Sequence, residues 1–526
     1  MGKHGIRPAC YILGEGVFRE PDYLSGAGSG CPVAGIAPTD GIGYSALKFG
    51  RMFGIPPKQV TGPEGVELFN GLIQLGQAMN QPAPAVPDSD IPAGYTYLGQ
   101  FIAHEITFDS RQDLPTVELN PENLRSPAID LDSLYGPDPR DDFSKRFYEE
   151  GDPARLKVDS TGSLEGSGSI FANDLPRDEQ TKEALIGDPR NDENLAVAQT
   201  LVAFIKFHNK VVERLREEGH NASDLFDCAR TQVIRHFQWI ILKDFLPRLV
   251  QADVLDCVIQ HGAGWFNVER RDDLYMPLEF SAAAFRLGHS MVRGEYQWNK
   301  FHAKGDRGGL SGALLGELFD QTGFSCMGLL ARNKRNLSAD WVIDWRRFFQ
   351  FPTYQIDPSR SNRAERIDTN FDFHLDRMTG FPADNLPANQ KSITVRNLLR
   401  GFALGLPTGE EVAKVIGEKP LSPAEAASGP HQQLLSSPIF EGKTPLWYYI
   451  LKEAELNGEN RLGPVGSRIV AETLVGLIKN SRYSLLDAPN WQPRFTKRRD
   501  PKTNLPLFEM VDLLEFADVI NPLSDP

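Results

Sequence analysis

The chain has 526 residues, of which 40% are hydrophobic, 24% charged and 10% aromatic, a composition that excludes global disorder and supplies ample material for a core. With 70 acidic against 56 basic side chains the net charge is −14, which argues against a general nucleic-acid binder. No apolar run reaches the roughly 18 residues of a membrane span; Ile234 to Val250 comes nearest and is broken by Arg235, His236, Lys243, Asp244 and Pro247.

In chain order, the N-terminus MGKHGIRPAC is charged but lacks a following apolar stretch, so no secretory signal is visible and a cytoplasmic location is the default expectation. Of the 47 glycines and 38 prolines, 29 fall in the first hundred residues, which predicts a mostly irregular arm over residues 1–95 with one short helix near Gly65–Met79. Tyr11, Phe18, Tyr23, Tyr44 and Phe49 give this arm apolar anchors, so it reads as packed on the rest. Residues 96–520 read as one large, mainly α domain. Leu195, Ala198, Val202, Ile205, Val212 and Leu215 form one helical stripe across Asn194–Glu218, with Gly219 as its stop. A second helix is expected over Asp224–Leu246, ended by Pro247. Phe280–Met291, Ser392–Leu404, Glu410–Val415, Thr444–Ala454 and Gly466–Lys479 carry the same periodicity, whereas Asp109–Gly136 and Ser160–Asp178 have loop composition. Period-2 strand patterns are scarce, and no internal repeat is found.

Several familiar motifs fail. Gly26-Ala-Gly28-Ser-Gly30 has no preceding strand, and Cys31 and Pro32 stand where a phosphate-binding helix would open. His104-Glu105 cannot begin a zinc-protease motif, because Phe108 occupies the second histidine position. Cys10, Cys31, Cys228, Cys257 and Cys326 are odd in number and widely spaced, which gives neither a disulfide framework nor a metal knuckle. Among ten histidines, His4, His220, His261, His302, His374 and His431 read as surface or structural residues, and His208 and His236 as satisfied core residues. Two differ. In Tyr95–Thr107, read as helix, Gln100 and His104 lie one turn apart on one face. In Phe280–Val292, three alanines and Gly288 leave little bulk around His289, which would let a large flat group approach the backbone. Taken singly, each of these histidines reads as a packed core residue; taken with the segments below, the balance reverses.

Five ordered blocks between about Gly54 and Leu514 carry a resemblance. They are Gly99-Gln100-Phe101-Ile102-Ala103-His104-Glu105, Asp130-Leu131-Asp132-Ser133-Leu134-Tyr135-Gly136, Gly187-Asp188-Pro189-Arg190-Asn191-Asp192-Glu193-Asn194, Ala284-Phe285-Arg286-Leu287-Gly288-His289, and Arg396-Asn397 through Arg400-Gly401 to Gly405-Leu406-Pro407. Together the chain resembles the animal-type haem peroxidases, the superfamily of myeloperoxidase, lactoperoxidase and peroxidasin, in a bacterial-like form. The resemblance implies a single helical haem domain and a peroxidase that uses hydrogen peroxide, through a ferryl intermediate, to oxidise a halide, a pseudohalide or a small phenol.

By that resemblance His289 is the axial ligand of haem b, and Asn397 accepts a hydrogen bond from its second ring nitrogen, a pairing that would fix the tautomer. His104 serves as base and then acid towards peroxide, Arg190 stabilises charge on the leaving oxygen, and Gln100 orders distal water or halide. Arg286, Arg400 and Glu193 are further cofactor-side positions. Glu105, Asp130 and Asp132, with Ser126 and the Ala128 carbonyl, match calcium-ligand positions, and hard oxygen donors suit Ca²⁺.

The departures are specific. Ala103 stands at the first haem-ester position and Asn194 at the methionine position, so at most one ester, through Glu193, is expected, and bromide, iodide or thiocyanate over chloride. Phe402-Ala403-Leu404 replaces the family's usual Arg-Asp-His. Arg286 occupies the position of the radical tyrosine of the oxygenase branch, which disfavours the alternative reading, a haem-dependent fatty-acid dioxygenase. A non-catalytic haem binder is the third class. The expected partners are therefore hydrogen peroxide and a small anionic or phenolic reductant, with no nucleic acid and no membrane span.

Overall fold

A computed structural model describes residues 17–18, 48–58, 60–81, 88–108, 113–114, 123, 125–136, 144–164, 167–268, 270–303, 312–322, 336–375 and 391–524. The proposed anchors Tyr11, Tyr23 and Tyr44, the Gly26–Gly30 stretch, and Cys10, Cys31 and Cys326 lie outside these residues. Among the described residues, ten helices of seven residues or more frame the fold: α1 (Gly62–Met79), α2 (Gly94–Ile106), α3 (Leu195–Glu217), α4 (Leu225–Ile240), α5 (Ala252–His261), α6 (Ile393–Ala403), α7 (Gly409–Val415), α8 (Leu446–Leu456), α9 (Pro464–Asn480) and α10 (Met510–Phe516). Strands are short and paired in twos, the longest being Asp152–Leu156. The molecule is mainly α, and no helix among the described residues is long and apolar enough to cross a membrane.

The boundaries of α3 follow from its end residues. Asn194 caps the start by accepting from the Ala196 N–H, and Gly219, at φ +85°, ends it with His220 N–H donating to Leu215 O and Gly219 N–H to Arg216 O. The core forms where α2, α3 and α4 meet. Phe101 stacks on Phe204 at 4.9 Å, and Phe237 meets both rings edge-on at 5.8 and 5.4 Å. Between α1 and α6 the backbones nearly touch: a Cβ on Gly76 would lie 2.7 Å from Val395 Cα.

Two expected helices are differently built. Pro247 does not end the second one: α4 passes into a π turn at Ile241–Phe245, and helix resumes over Leu246–Leu249 with Pro247 in its first turn. Pro247 lacks the amide that would continue the ladder, and the π turn just before it changes the register there, so the chain runs on in helix to Leu249 instead of breaking. Phe280–Met291 is not one helix. An α turn at Leu278–Ser281 is interrupted at Ala283 (φ −136°, ψ −76°) and followed by a 3₁₀ turn over Ala284–His289, so alanine's helix propensity yields there to tertiary packing. The composition gave no warning of α5 or α10.

Within residues 1–95, α1 starts three residues earlier than the expected Gly65, at Gly62. Ahead of it, Lys48–Gly50 pairs in parallel with Tyr275–Pro277. Met52 N–H donates to Glu279 Oε2 at 3.1 Å, and Arg51 reaches Leu404 O at 2.6 Å and Gly405 O at 3.3 Å. This strap brings Phe49 to the wall of the site.

Candidate active site

A pocket with about 1020 Å³ of open space, its solvent-filled mouth included, lies between α2, the π turn after α4 and the Leu278–His289 segment. Gln100, His104, Arg190, Arg286, His289 and Arg400 all line it, although they come from four of the five sequence blocks. Phe49, Phe245, Leu249, Phe280 and Phe285 make much of the remaining wall apolar, and Ala103, Ala282 and Gly288 leave it open.

His104 lies in the last turn of α2, buried, with Nδ1 2.9 Å from Asn191 Oδ1. An amide oxygen can only accept, so Nδ1 carries the proton and Nε2 keeps its lone pair. Nε2 is buried without a hydrogen-bond partner. Burial, and next the Arg190 guanidinium, push the imidazole pKa down to about 3. The ring is thus a neutral base with one unused nitrogen.

Arg190 sits in the 3₁₀ turn Pro189–Asp192, which Asp188 caps by accepting from the Arg190 N–H at 2.9 Å. The same carboxylate grips the guanidinium through Nε at 3.1 Å and Nη2 at 2.7 Å, and Nη2 also donates to His104 O at 2.8 Å. Phe108 lies under the guanidinium, 4.4 Å from ring centroid to Cζ. Burial works to raise the pKa of Asp188, but Arg125 and Arg190 overcome it and hold the carboxyl below the usual range. Arg125 supplies the second grip: Nε donates to Asp188 Oδ2 at 2.8 Å, Nη2 to Gly187 O at 2.7 Å, and Nη1 lies 3.5 Å from Asp132 Oδ1.

That last contact leads to an acidic cluster. Ligand atoms of Glu105, Asp130 and Asp132, all buried, lie within 4.8 Å of one another. Glu105 accepts from the Leu131 N–H, from the Ser133 N–H at 3.2 Å and from Ser133 Oγ at 2.6 Å. Ile129 (φ +49°) and Leu131 (φ +58°) flank Asp130 in left-handed conformations, which cost such residues about 1–3 kcal/mol each and turn the loop so that both aspartates meet Glu105. Burial first, then the neighbouring aspartates, raises the Glu105 pKa well above its ordinary value, and burial and Asp132 raise that of Asp130. Asp130 Oδ1 has no hydrogen-bond partner. Three buried carboxylates with an unpartnered oxygen fit a hard divalent cation. Ser126 sits in the same loop, its N–H donating to Asp132 Oδ2 at 3.2 Å and its Oγ accepting from Ala128 N–H at 3.3 Å.

On the other side of the cavity, His289 Nδ1 lies 2.7 Å from Asn397 Nδ2, and Asn397 Oδ1 accepts from Arg286 Nη1 at 2.8 Å. This is the reverse of the polarity expected with haem bound, in which Asn397 would accept from the imidazole. A guanidinium can only donate, so it claims the single amide oxygen and turns the amide nitrogen towards His289. Burial, then Arg286 and Arg396, lower the His289 pKa to about 3, and burial, then Arg400 and Arg396, bring that of Arg286 well below normal. The wall around His289 is therefore strongly electropositive.

Glu193 is not among the lining residues; it closes the turn that carries Arg190. His208 and His236 are buried and bonded at both ring nitrogens, His208 to Tyr135 Oη and Ala154 O, His236 to Gln232 O and the Arg494 main chain. Sequence reading assigned no role to Asn191, Asp188 or Arg125. Asp188-Pro189 is a legible cap signature, but nothing in spacing joins Asn191 to His104 or Arg125 to Asp188.

Residues 110–311 match the model of the animal haem peroxidase family, a stretch that holds the acidic loop, Arg190 and His289 but not His104 or Asn397. The chain is 31% identical over 125 residues to the chorion peroxidase of Drosophila melanogaster, which is 23% of this chain and 16% of that protein. It is 28% identical over 208 residues to a peroxidase-like protein of Margaritifera margaritifera, covering 36% of this chain and 25% of that one. The alignments thus span a quarter or less of these relatives. Peroxidase A of Dictyostelium discoideum superposes with a TM-score of 0.57 at 15% identity, over 84% of this chain and 88% of that one. The Oryza sativa fatty acid alpha-dioxygenase gives 0.57 at 11%, over 91% and 80%. At these identities the likeness is one of fold.

Proposed function

We propose that this chain, which carries an animal haem peroxidase domain, is a haem peroxidase that reduces hydrogen peroxide and oxidises a halide, a pseudohalide or a small phenol. The observation that carries the reading is His104: a buried, neutral imidazole with its unpartnered Nε2 in the cavity that also holds Arg190 and His289.

The residues present fit haem. His289 offers the imidazole nitrogen opposite its Asn397 contact, Arg286 and Arg400 offer positive charge to the cofactor's carboxylates, and the small residues Ala282 and Gly288 leave room for a flat ring. Ligation through Nε2 requires the proton on Nδ1, so Asn397 must turn its amide oxygen to His289 as Arg286 takes an anionic partner. When bound, haem supplies the redox chemistry by which a peroxide is reduced and a second molecule oxidised. His104 Nε2 then accepts a proton from the peroxide and returns it to the departing oxygen, a base-then-acid cycle that a neutral ring can run. Arg190, held by Asp188, places its guanidinium beside that oxygen and stabilises its charge. Glu105, Asp130 and Asp132, with Ser126 and the Ala128 carbonyl, hold Ca²⁺ and fix the end of α2 next to His104.

The test is oxidation of bromide, iodide and a simple phenol by hydrogen peroxide with the haem-reconstituted protein. His104→Ala is expected to lose about 10²- to 10⁴-fold in rate at unchanged haem content. Equal rates in the two proteins would overturn the assignment.

A further inference from the structure

Tyr95 is the sole phenol among the described residues lining the cavity. It is 3% exposed, one residue into α2, and its hydroxyl donates to Asp244 Oδ1 at 2.7 Å. Asp244 belongs to the π turn Ile241–Phe245, whose next residue, Phe245, is itself part of the cavity wall. Such turns are rare and recur at functional sites. The carboxylate is held firmly: Oδ1 also accepts from Arg248 Nε at 3.0 Å and Nη2 at 2.8 Å, and Oδ2 from the Met510 N–H at 2.8 Å. Arg248 folds back over the phenol, with Cζ 4.4 Å from the ring centroid, and its side chain remains 34% exposed.

These contacts constrain how the phenol can be oxidised. Removing an electron alone would leave a positive ring facing a guanidinium, which electrostatics opposes. Removing the proton alone would set a phenolate against the Asp244 carboxylate, and burial, then Asp244, accordingly raise the phenol's pKa well above its ordinary value. The favourable route lets both leave together, because the acceptor is already in hydrogen-bond contact.

We propose that Tyr95 is an internal one-electron donor to the peroxide-oxidised haem, with Asp244 as its proton acceptor. The phenolic O–H bond breaks and an O–H bond to Asp244 Oδ1 forms. Tyr95 loses one electron and the cofactor gains it, which leaves a neutral tyrosyl radical beside a neutral carboxyl group. An electron from an external one-electron donor, a phenol being the chemical class, and the proton from Asp244 restore the pair. Arg248, both exposed and against the ring, marks the side from which that donor is reached. The inference rests on the peroxidase reading.

It is tested on haem-loaded protein mixed with one equivalent of hydrogen peroxide without a reductant, frozen rapidly and examined by electron paramagnetic resonance, with the visible spectrum followed in parallel. The expected result is a radical whose hyperfine structure collapses on ring-deuterated tyrosine labelling and which is lost in Tyr95→Phe, while the visible band of the variant still responds to peroxide. A melting curve confirms that the variant is folded. A tyrosyl signal that persists in Tyr95→Phe, or no tyrosyl signal in the parent although its visible band responds, overturns this inference alone. A band indifferent to peroxide in both proteins overturns the peroxidase reading and this inference with it.

Discussion

His104 is a base because of two neighbours. Asn191 Oδ1 accepts a hydrogen bond from Nδ1–H, and burial with Arg190 keeps the second nitrogen unprotonated down to about pH 3. A free imidazole would protonate near pH 6.5 and lose its ability to accept the peroxide proton as pH falls through that value. Here the rate constant for the reaction with peroxide should stay flat from about pH 8 to pH 5 and fall only as pH approaches 3, which stopped-flow spectroscopy over that range would reveal. An inflection near 6.5 would show that the ring is solvated and the described burial wrong. At this scale the motifs marked His104, Arg190 and His289. They could not show the tautomer of either ring, which depends on amides 87 and 108 residues away in the chain.

Between elements, Arg125 and Asp188 join the acidic loop to the turn that holds Arg190. Gly187 shows how tight the joint is, since a Cβ there would lie 2.6 Å from Ser133 O and 2.7 Å from Asp132 O. Asp188→Asn removes the one carboxylate between two buried guanidiniums, and leaving such charges uncompensated costs on the order of 3–5 kcal/mol. The variant should melt at a clearly lower temperature and react more slowly with peroxide at equal haem content; an unchanged melt would mean that the two guanidiniums do not depend on Asp188 for compensation. The acids behave oppositely to Asp188. Their folded pKa values are raised, so the folded state holds more protons than the unfolded chain above about pH 4. Metal-free protein should accordingly lose stability as pH rises from about 4 through 7, where Asp130 titrates, and calcium should abolish that slope. Melting curves at pH 5 and 8 with and without calcium measure both effects, and Glu105→Gln should remove the calcium response. Sequence patterns located α3 closely because its caps and stripe are local. They misjudged Pro247 and the Ala282–Ala283 break, since a π turn and a 3₁₀ turn are set by what packs against them.

At the scale of the molecule, one cavity gathers segments from residue 49 to residue 400. The order of the blocks pointed to the fold class that the structure has, and to the chemistry proposed above. The strap was not legible, because Lys48–Gly50 pairs with Tyr275–Pro277, and no local pattern encodes so distant a partner. Its role is testable: Glu279→Ala removes the acceptor of the Met52 N–H, and the loosened wall at Phe49 should raise the rate of haem loss severalfold in a transfer assay to an apo-globin. Everything else in the account depends on the cavity being a peroxide-reactive haem site. The most direct measurement is the visible spectrum of the haem-loaded protein during titration with hydrogen peroxide. An intense near-ultraviolet band should shift on peroxide addition and return with iodide, bromide or a phenol, and should fail to shift at the same rate in His104→Ala. A band indifferent to peroxide, or no band at all in protein supplied with haem, would rule out a peroxide-reactive haem site in this cavity.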